Sequence, residues 1–233
     1  MPTDQPTSSE PVAHMASSST PLDAGMPIVS EGTASLGPLS FTCDGTIAGQ
    51  VWGAGAALGR HLLQFGLPNR PDVVEIGSGT GVAGLAAAVA GAKSVRLTDL
   101  PSMLPLLTSA IASNAEALEG AACSATALEW GDEEALPEDG ADLVLAADVL
   151  YSAEPAVHEA LRTTLVGLAR PRDGTILHCY EERWPKIVAQ WRDGVAACAH
   201  LRLVREVVLE SPPGIERRLI LEEMRLTEEG LFS

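Results

Sequence analysis

The run Val73-Val74-Glu75-Ile76-Gly77-Ser78-Gly79-Thr80-Gly81 joins an apolar stretch to a glycine-rich turn. Glycines there let the backbone approach a ligand, which in an open α/β sheet lies beyond the carboxyl ends of the strands. A nucleotide-like cofactor is implied. Residues Gly79-Thr80-Gly81-Val82-Ala83-Gly84 also satisfy GxGxxG, the spacing that dinucleotide enzymes use to receive a pyrophosphate at a helix N-terminus. Here Gly77 comes first and Glu75 stands at the strand end. A carboxylate there repels a pyrophosphate and favours an amino-acid ammonium. Two more carboxylates close strand-like runs: Asp99 in Leu97-Thr98-Asp99-Leu100-Pro101, and Asp148 in Ala146-Ala147-Asp148-Val149-Leu150-Tyr151. Asp99 can accept hydrogen bonds from two ribose hydroxyls, or cap a helix beginning near Ser102. An Asp ending an apolar strand is costly unless solvated or paired, so Asp148, with the Tyr151 phenol, points to a site. In Leu128-Glu129-Trp130-Gly131 the indole either flanks an adenine or belongs to the core.

These residues need elements that bring strand ends together. Periodicity predicts helices over 54–65, 82–90, 103–118, 154–168 and 184–197, with strands over 72–76, 94–98, 124–128, 141–147 and 175–180. Such alternation implies an α/β, doubly wound, Rossmann-like fold whose parallel sheet carries helices on both faces. Residues 201–209 and 216–226 read as strands joined by Ser211-Pro212-Pro213-Gly214, which predicts an antiparallel C-terminal edge hairpin on a seven-stranded, mostly parallel sheet. Residues 1–36 are rich in Ser, Thr and Pro without apolar periodicity and are expected to form a disordered tail. The single domain then spans 37–233, opening with a short hairpin interrupted by Asp44-Gly45 and a helix. Trp184 and Trp191, seven apart, are expected on one helix face against the sheet, and His178 as a satisfied strand residue. Arg183 either lines a site or pairs with Glu181 or Glu182.

Composition narrows the function classes. At 233 residues and 46% apolar, one core is expected. No run approaches the roughly eighteen apolar residues of a membrane helix, so neither a membrane span nor a membrane partner is expected. Residues 1–50 hold no Lys or Arg and no signal-like apolar core, which gives a cytoplasmic or nuclear address by default. Cys43, Cys123, Cys179 and Cys198 are scattered without a CxxC pair, so no metal site or disulfide framework is expected and the thiols are read as reduced and mostly buried. A net charge of -16 without a basic stripe disfavours nucleic acid. The acidity either favours a basic partner or simply keeps the surface solvated.

Taken in order, Val51-Trp52-Gly53-Ala54, the glycine run, Leu97 to Pro101, Asn114, Leu128 to Gly131 and Ala147 to Tyr151 resemble the motifs of the class I, seven-β-strand protein-lysine methyltransferases of the methyltransferase-like family. The resemblance spans 41–226. It implies S-adenosylmethionine as cofactor and methyl transfer to a lysine of a protein substrate, such as a chaperone or other cytosolic protein, by a monomer. It also implies cofactor contacts from Trp52, Glu75, Gly77, Ser78, Gly79, Asp99, Leu100, Trp130, Ala147 and Asp148, with Asp148 and Tyr151 as the catalytic pair bordering the acceptor pocket. The small Gly53-Ala54-Gly55-Ala56 helix start departs from bulkier relatives, and the N-terminal tail matches nothing in the family. A small-molecule methyltransferase of the same fold, or a non-catalytic binding protein built on it, stays open. A nicotinamide-dependent reductase is disfavoured, because with only Lys93 and Lys186 present no Tyr-x-x-x-Lys pair occurs.

Overall fold

The computed structural model describes residues 19–21, 31–137, 139–209 and 218–227. Its strands are β1 (Ser19–Pro21), β2 (Glu31–Leu36), β3 (Leu39–Asp44), β4 (Asp72–Ile76), β5 (Ser94–Asp99), β6 (Ala122–Ala127), β7 (Leu143–Ala147), β8 (Thr175–Glu181), β9 (Leu201–Leu209) and β10 (Leu219–Leu226). The helices are α1 (Gly53–Phe65), α2 (Val82–Val89), α3 (Leu104–Ser113), α4 (Pro155–Leu168) and α5 (Pro185–Ala197). No helix among the described residues is long and apolar enough to cross a membrane.

Seven strands form one sheet in the order β6-β5-β4-β7-β8-β10-β9. All pairs are parallel except those of β10, which runs antiparallel to both β8 and β9. The central strands β4 and β7 are apolar and buried along nearly their whole length, as strands covered on both faces must be. Leu58 of α1, Leu85 of α2 and Leu107 of α3 pack with Leu97 and Leu145 on one face. Leu161 and Leu165 of α4 and Trp191 of α5 pack with Val144 and Ile176 on the other. Successive strands run outward from β4 to β5 and β6, then return to its other side at β7. Crossovers thus leave β4 and β7 in opposite directions, which opens a crevice at their carboxyl ends.

A buried polar cluster fastens β10 into this sheet. Glu222 accepts hydrogen bonds from Tyr180 Oη (2.8 Å) and Trp191 Nε1 (3.0 Å), with His178 Nδ1 3.3 Å away. Burial alone would raise its pKa, but bonds from His178, Trp191 and Tyr180 together with the His178 charge hold it down at about 2. His178 thus has the partner expected of a strand residue on one ring nitrogen, while its buried Nε2 has none among the described residues.

Four expectations need correction. Residues 31–36, assigned to the tail, form β2, which pairs antiparallel with β3 through a two-residue turn at Gly37-Pro38, with Gly37 at φ 55°. Asp44-Gly45 does turn the chain, but through a wider loop than a two-residue hairpin turn: Asp44 Oδ1 accepts from Thr46 N and Oγ1 at 2.9 and 2.7 Å, and the Asp44 N–H donates to the Gly49 carbonyl at 3.2 Å, leaving only a single bridge residue at Val51 in place of the second strand. The helix expected over 103–118 ends at Ser113, because Asn114 turns its amide to the hairpin. Its Oδ1 accepts from Ser40 N, and its Nδ2 donates to the Ser40 and Ala110 carbonyls, each at 2.8 Å. Trp184 does not share a helix face with Trp191; it precedes α5 and stays 45% exposed, while Trp191 is fully buried. Cys43 and Cys179 are buried, Cys123 and Cys198 half-buried, and all four are free thiols. The link at 211–214 and residues 1–18 and 22–30 lie outside the described residues.

Candidate active site

A cavity of about 810 Å³ opens at the carboxyl ends of β4, β5 and β7, a volume suited to a nucleoside-sized ligand with an acceptor beside it. The glycine loop forms its floor. Gly79 sits at φ 54°, and a Cβ there would come within 2.7 Å of the Ala48 carbonyl, so the loop and the 44–52 segment can close on each other only with glycine at this position. Gly77 is less crowded but still tight: a Cβ would lie 3.1 Å from both Trp130 Cζ2 and Val149 Cγ1. Asp99, at the end of β5, ties the floor down by accepting the Gly79 N–H through Oδ2 (2.8 Å) and the Leu100 N–H through Oδ1 (2.7 Å). Ser78 Oγ bonds the neighbouring strand ends, accepting from Thr98 N at 3.1 Å.

Glu75 lies in the cavity wall but is 2% exposed. Its Oε2 accepts the Gly84 N–H at 3.1 Å. Burial pushes its pKa up to about 8 against the Gly84 and Ser78 hydrogen bonds, so at neutral pH it is mostly a neutral acid bracing α2. The last glycine of the GxGxxG spacing therefore has a packing role: a Cβ on Gly84 would lie 2.6 Å from Glu75 Oε2 and 2.3 Å from Leu97 Cδ2.

The far end of the cavity is built from side chains. Trp130, beyond β6, stands between the two ends, packed against Gly77 on one side and with its ring centroid 5.9 Å from that of Tyr151 on the other. Trp52, just ahead of α1, donates Nε1–H to the Ile47 carbonyl at 2.9 Å. Asp148, after β7, has φ 60°, a left-handed conformation that Asp and Asn adopt at lower cost than other side chains. Its N–H donates to the Cys179 carbonyl at 2.8 Å. Its carboxylate is largely buried and ion-paired with Arg183. Burial raises the Asp148 pKa, and the Arg183 charge and hydrogen bond oppose that rise. Arg183 also donates from Nε to Glu181 at 2.8 Å and stacks 4.7 Å over the Trp52 ring.

The structure thus brings Trp52, Glu75, Gly77, Ser78, Gly79, Asp99, Leu100, Trp130, Ala147, Asp148 and Tyr151 around one cavity. Tyr151 and Leu100 stand at its mouth, 63% and 50% exposed. Sequence reasoning left Arg183 and Trp184 out. The signal for Arg183 was its place just after β8, on the same sheet edge as Asp148, but two glutamates beside it supplied an equally good local explanation. Among the described residues lining the cavity, the carboxyl groups of Glu75, Asp99, Glu129 and Asp148 face a single cation, Arg183.

The sheet order with its antiparallel last pair is that of the Rossmann-like methyltransferases. The P. horikoshii TYW2 structure, solved in complex with MeSAdo, shares this fold at a TM-score of 0.57 and 14% identity, covering 85% of this chain and 72% of that one. The chain belongs to the lysine methyltransferase family, whose pattern matches residues 40–192. It is 33% identical to the protein N-lysine methyltransferase METTL21A of Danio rerio over 136 residues, 57% of this chain and 61% of the relative. It is 33% identical to the EEF1A lysine methyltransferase 3 of Mus musculus over 106 residues, 45% of this chain and 44% of the relative. The matched regions therefore span less than two thirds of these curated relatives' lengths.

Proposed function

We propose that this chain is an S-adenosylmethionine-dependent methyltransferase that acts on the side-chain amine of a lysine in another protein, such as a chaperone or other cytosolic protein. The observation that carries the reading is the charge of the cavity: beside Glu75, which burial keeps mostly neutral, the carboxyl groups of Asp99, Glu129 and Asp148 face one guanidinium that is already paired. Such a lining suits ligands bearing ammonium or sulfonium groups and repels a pyrophosphate. When bound, S-adenosylmethionine supplies an electrophilic methyl group on a positively charged sulfur.

The residues fit that group. Asp99 presents carboxylate oxygens at the end of β5 for two ribose hydroxyls, the Gly77 to Gly79 backbone leaves room for close approach, and Trp130 gives an apolar face for the adenine. Ala147, beside Asp148, lines the cavity with no more than a methyl group. An in-line displacement needs no covalent nucleophile, so the protein's tasks are alignment and exclusion of water. The acceptor lysine must lose a proton, which at pH 7 costs roughly 4 to 5 kcal/mol from a solution pKa near 10.4. Burial next to a positive sulfur lowers that cost. Asp148 orients the neutral amine by accepting its hydrogen bond, while Tyr151 and Trp184 flank the lysine stem at the mouth. This is orientation rather than strong base catalysis, since Asp148 is kept in an ion pair with a cation, which is Arg183 in the free protein.

The test is incubation of the full chain with methyl-labelled S-adenosylmethionine and a cytosolic protein extract, followed by mass spectrometry of the labelled material. Methyllysine in a protein, absent with Asp148→Asn, is expected. Label recovered only in small molecules overturns the protein acceptor, and no transfer with intact cofactor binding points to a non-catalytic binding role.

A further inference from the structure

Arg183 is bound as a cationic ligand would be. Its guanidinium lies 4.7 Å from the Trp52 ring centroid and 5.6 Å from that of Trp184, and it pairs with Asp148 and, at 2.8 Å through Nε, with Glu181. Two indole faces and two carboxylates are the groups from which sites for ammonium ions are assembled. Resting on the function proposed above, we propose that this set is a cation slot, that Arg183 is its resident occupant, and that the acceptor lysine enters by displacing the Arg183 side chain.

Three observations support displacement over a permanent strut. First, both carboxylates are nearly buried, with side chains about a tenth exposed. A buried carboxylate without a cation is strongly unfavourable, so the slot must be filled before substrate arrives and can be emptied only by exchange for another cation. Second, the occupant sits where exchange is easy. Arg183 lies in the short connection between β8 and α5 and lines the cavity itself, so a rotation of its long side chain leaves β8 and its pairing to β10 in place. Third, the walls around the slot are small. Gly55 of α1 packs toward Ala147, its Cβ position 4.0 Å from the Ala147 Cβ, and the Cβ position of Gly53 is 3.9 Å from Glu181 Oε2. A methyl at either position would already be in van der Waals contact, so α1 closes one side of the slot, and the room for a second long side chain during exchange is that of the cavity of about 810 Å³ that Arg183 lines. The incoming lysine docks as an ammonium, restores the pairing of Asp148, and then gives one proton to solvent water at the open mouth, leaving the neutral amine that takes the methyl group.

The exchange is testable without turnover. Tryptophan fluorescence of the full chain is titrated with n-butylammonium and n-propylguanidinium, mimics of the lysine and arginine side chains, for the wild type, Arg183→Met, and Arg183→Met combined with Asp148→Asn. Arg183→Met is expected to bind both probes saturably and at least about tenfold more tightly than the wild type, and the added Asp148→Asn is expected to abolish the gain. Equal affinity in wild type and Arg183→Met, or no saturable binding in Arg183→Met, overturns the proposal. Arg183→Gln repeats the measurement if Arg183→Met fails to fold; failure of both to fold makes Arg183 a strut and also overturns it. Titrating the same samples with S-adenosylmethionine separates the two readings. Cofactor binding without probe binding rejects the slot alone, whereas probe binding without cofactor binding rejects the methyltransferase reading alone.

Discussion

At the glycine-loop end of the cavity the contacts are made by backbone, and at the acceptor end by side chains. Gly79 approaches the Ala48 carbonyl more closely than a residue with a Cβ could, Gly77 packs tightly against Trp130, and one carboxylate 20 positions on, Asp99, holds the Gly79 amide. At the other end Trp52 ahead of α1, Asp148 after β7 and Arg183 after β8 meet through ion pairing and ring stacking between positions far apart in the chain. A backbone-built end is rigid and tuned for binding a fixed ligand. A side-chain-built end can rearrange, which an acceptor site for a macromolecule requires. Substitutions at the first end should therefore change affinity for the cofactor, and substitutions at the second should change turnover.

The strongest effect should come from Asp148→Asn, chosen because Asn tolerates the left-handed backbone that Asp148 occupies. Single-turnover methyl transfer is expected to fall about a hundredfold or more, with cofactor affinity within about threefold of wild type by calorimetry. Loss of cofactor binding with unchanged turnover at saturation would erase the contrast between the two ends. Asp99→Ala removes the partner of the Gly79 and Leu100 amides and the acceptor proposed for the ribose. Cofactor affinity should weaken about tenfold to a hundredfold, the worth of charge-assisted hydrogen bonds at roughly 1.5 to 3 kcal/mol, with little further loss once the cofactor saturates. Asn114→Ala sharpens the comparison from outside the cavity. It deletes three hydrogen bonds to Ser40 and Ala110 and should cost about 1 to 3 kcal/mol in urea unfolding, lowering cofactor affinity more than turnover because β3 leads into the loop over the glycine floor.

Two buried glutamates supply a smaller effect of opposite sign at the two ends of the pH range. Glu75 has its pKa raised to about 8, so its folded form holds a proton that the unfolded chain has released, and its contribution to stability is lost as pH rises from about 4.5 toward 8. Glu222, lowered to about 2, contributes stability at neutral pH that is lost as pH falls from about 4.5 toward 2. Thermal melts should therefore show Glu75→Gln gaining on the wild type by at least about 1.4 kcal/mol, the worth of one pKa unit, between pH 6 and 8.5. Glu222→Gln should be less stable than the wild type at pH 7 and lose that deficit progressively as pH falls from about 4.5 to about 2.

The same contrast explains what could be read from the chain. Parallel strands, their helices and the glycine run are written in local patterns, so β4, β5, β7 and β8 and the positions of Asp99 and Asp148 follow from the order of residues. Four things were not legible. The strand at 31–36 lies in a polar stretch, and its stability comes from pairing with β3 and from the Asn114 clamp, a contact across 74 positions. Asp44-Gly45 has the composition of a hairpin turn, and only the Asp44 to Thr46 bonds reveal that it opens a loop instead. Trp184 matched a helical spacing with Trp191, yet Pro185 begins the helix after it and leaves its ring beside Arg183. Arg183 itself pairs with its neighbour Glu181, as the local sequence suggests, and also across 35 positions with Asp148, which no local pattern encodes.

The most direct test is calorimetric titration of the full chain with S-adenosylmethionine and, separately, with NADH, each repeated with Asp99→Ala. Saturable binding of the methyl donor, weakened by the substitution and accompanied by no binding of NADH, is the expected result. Binding of NADH in place of the methyl donor, or binding of the methyl donor that Asp99→Ala leaves untouched, would contradict the assignment of this cavity.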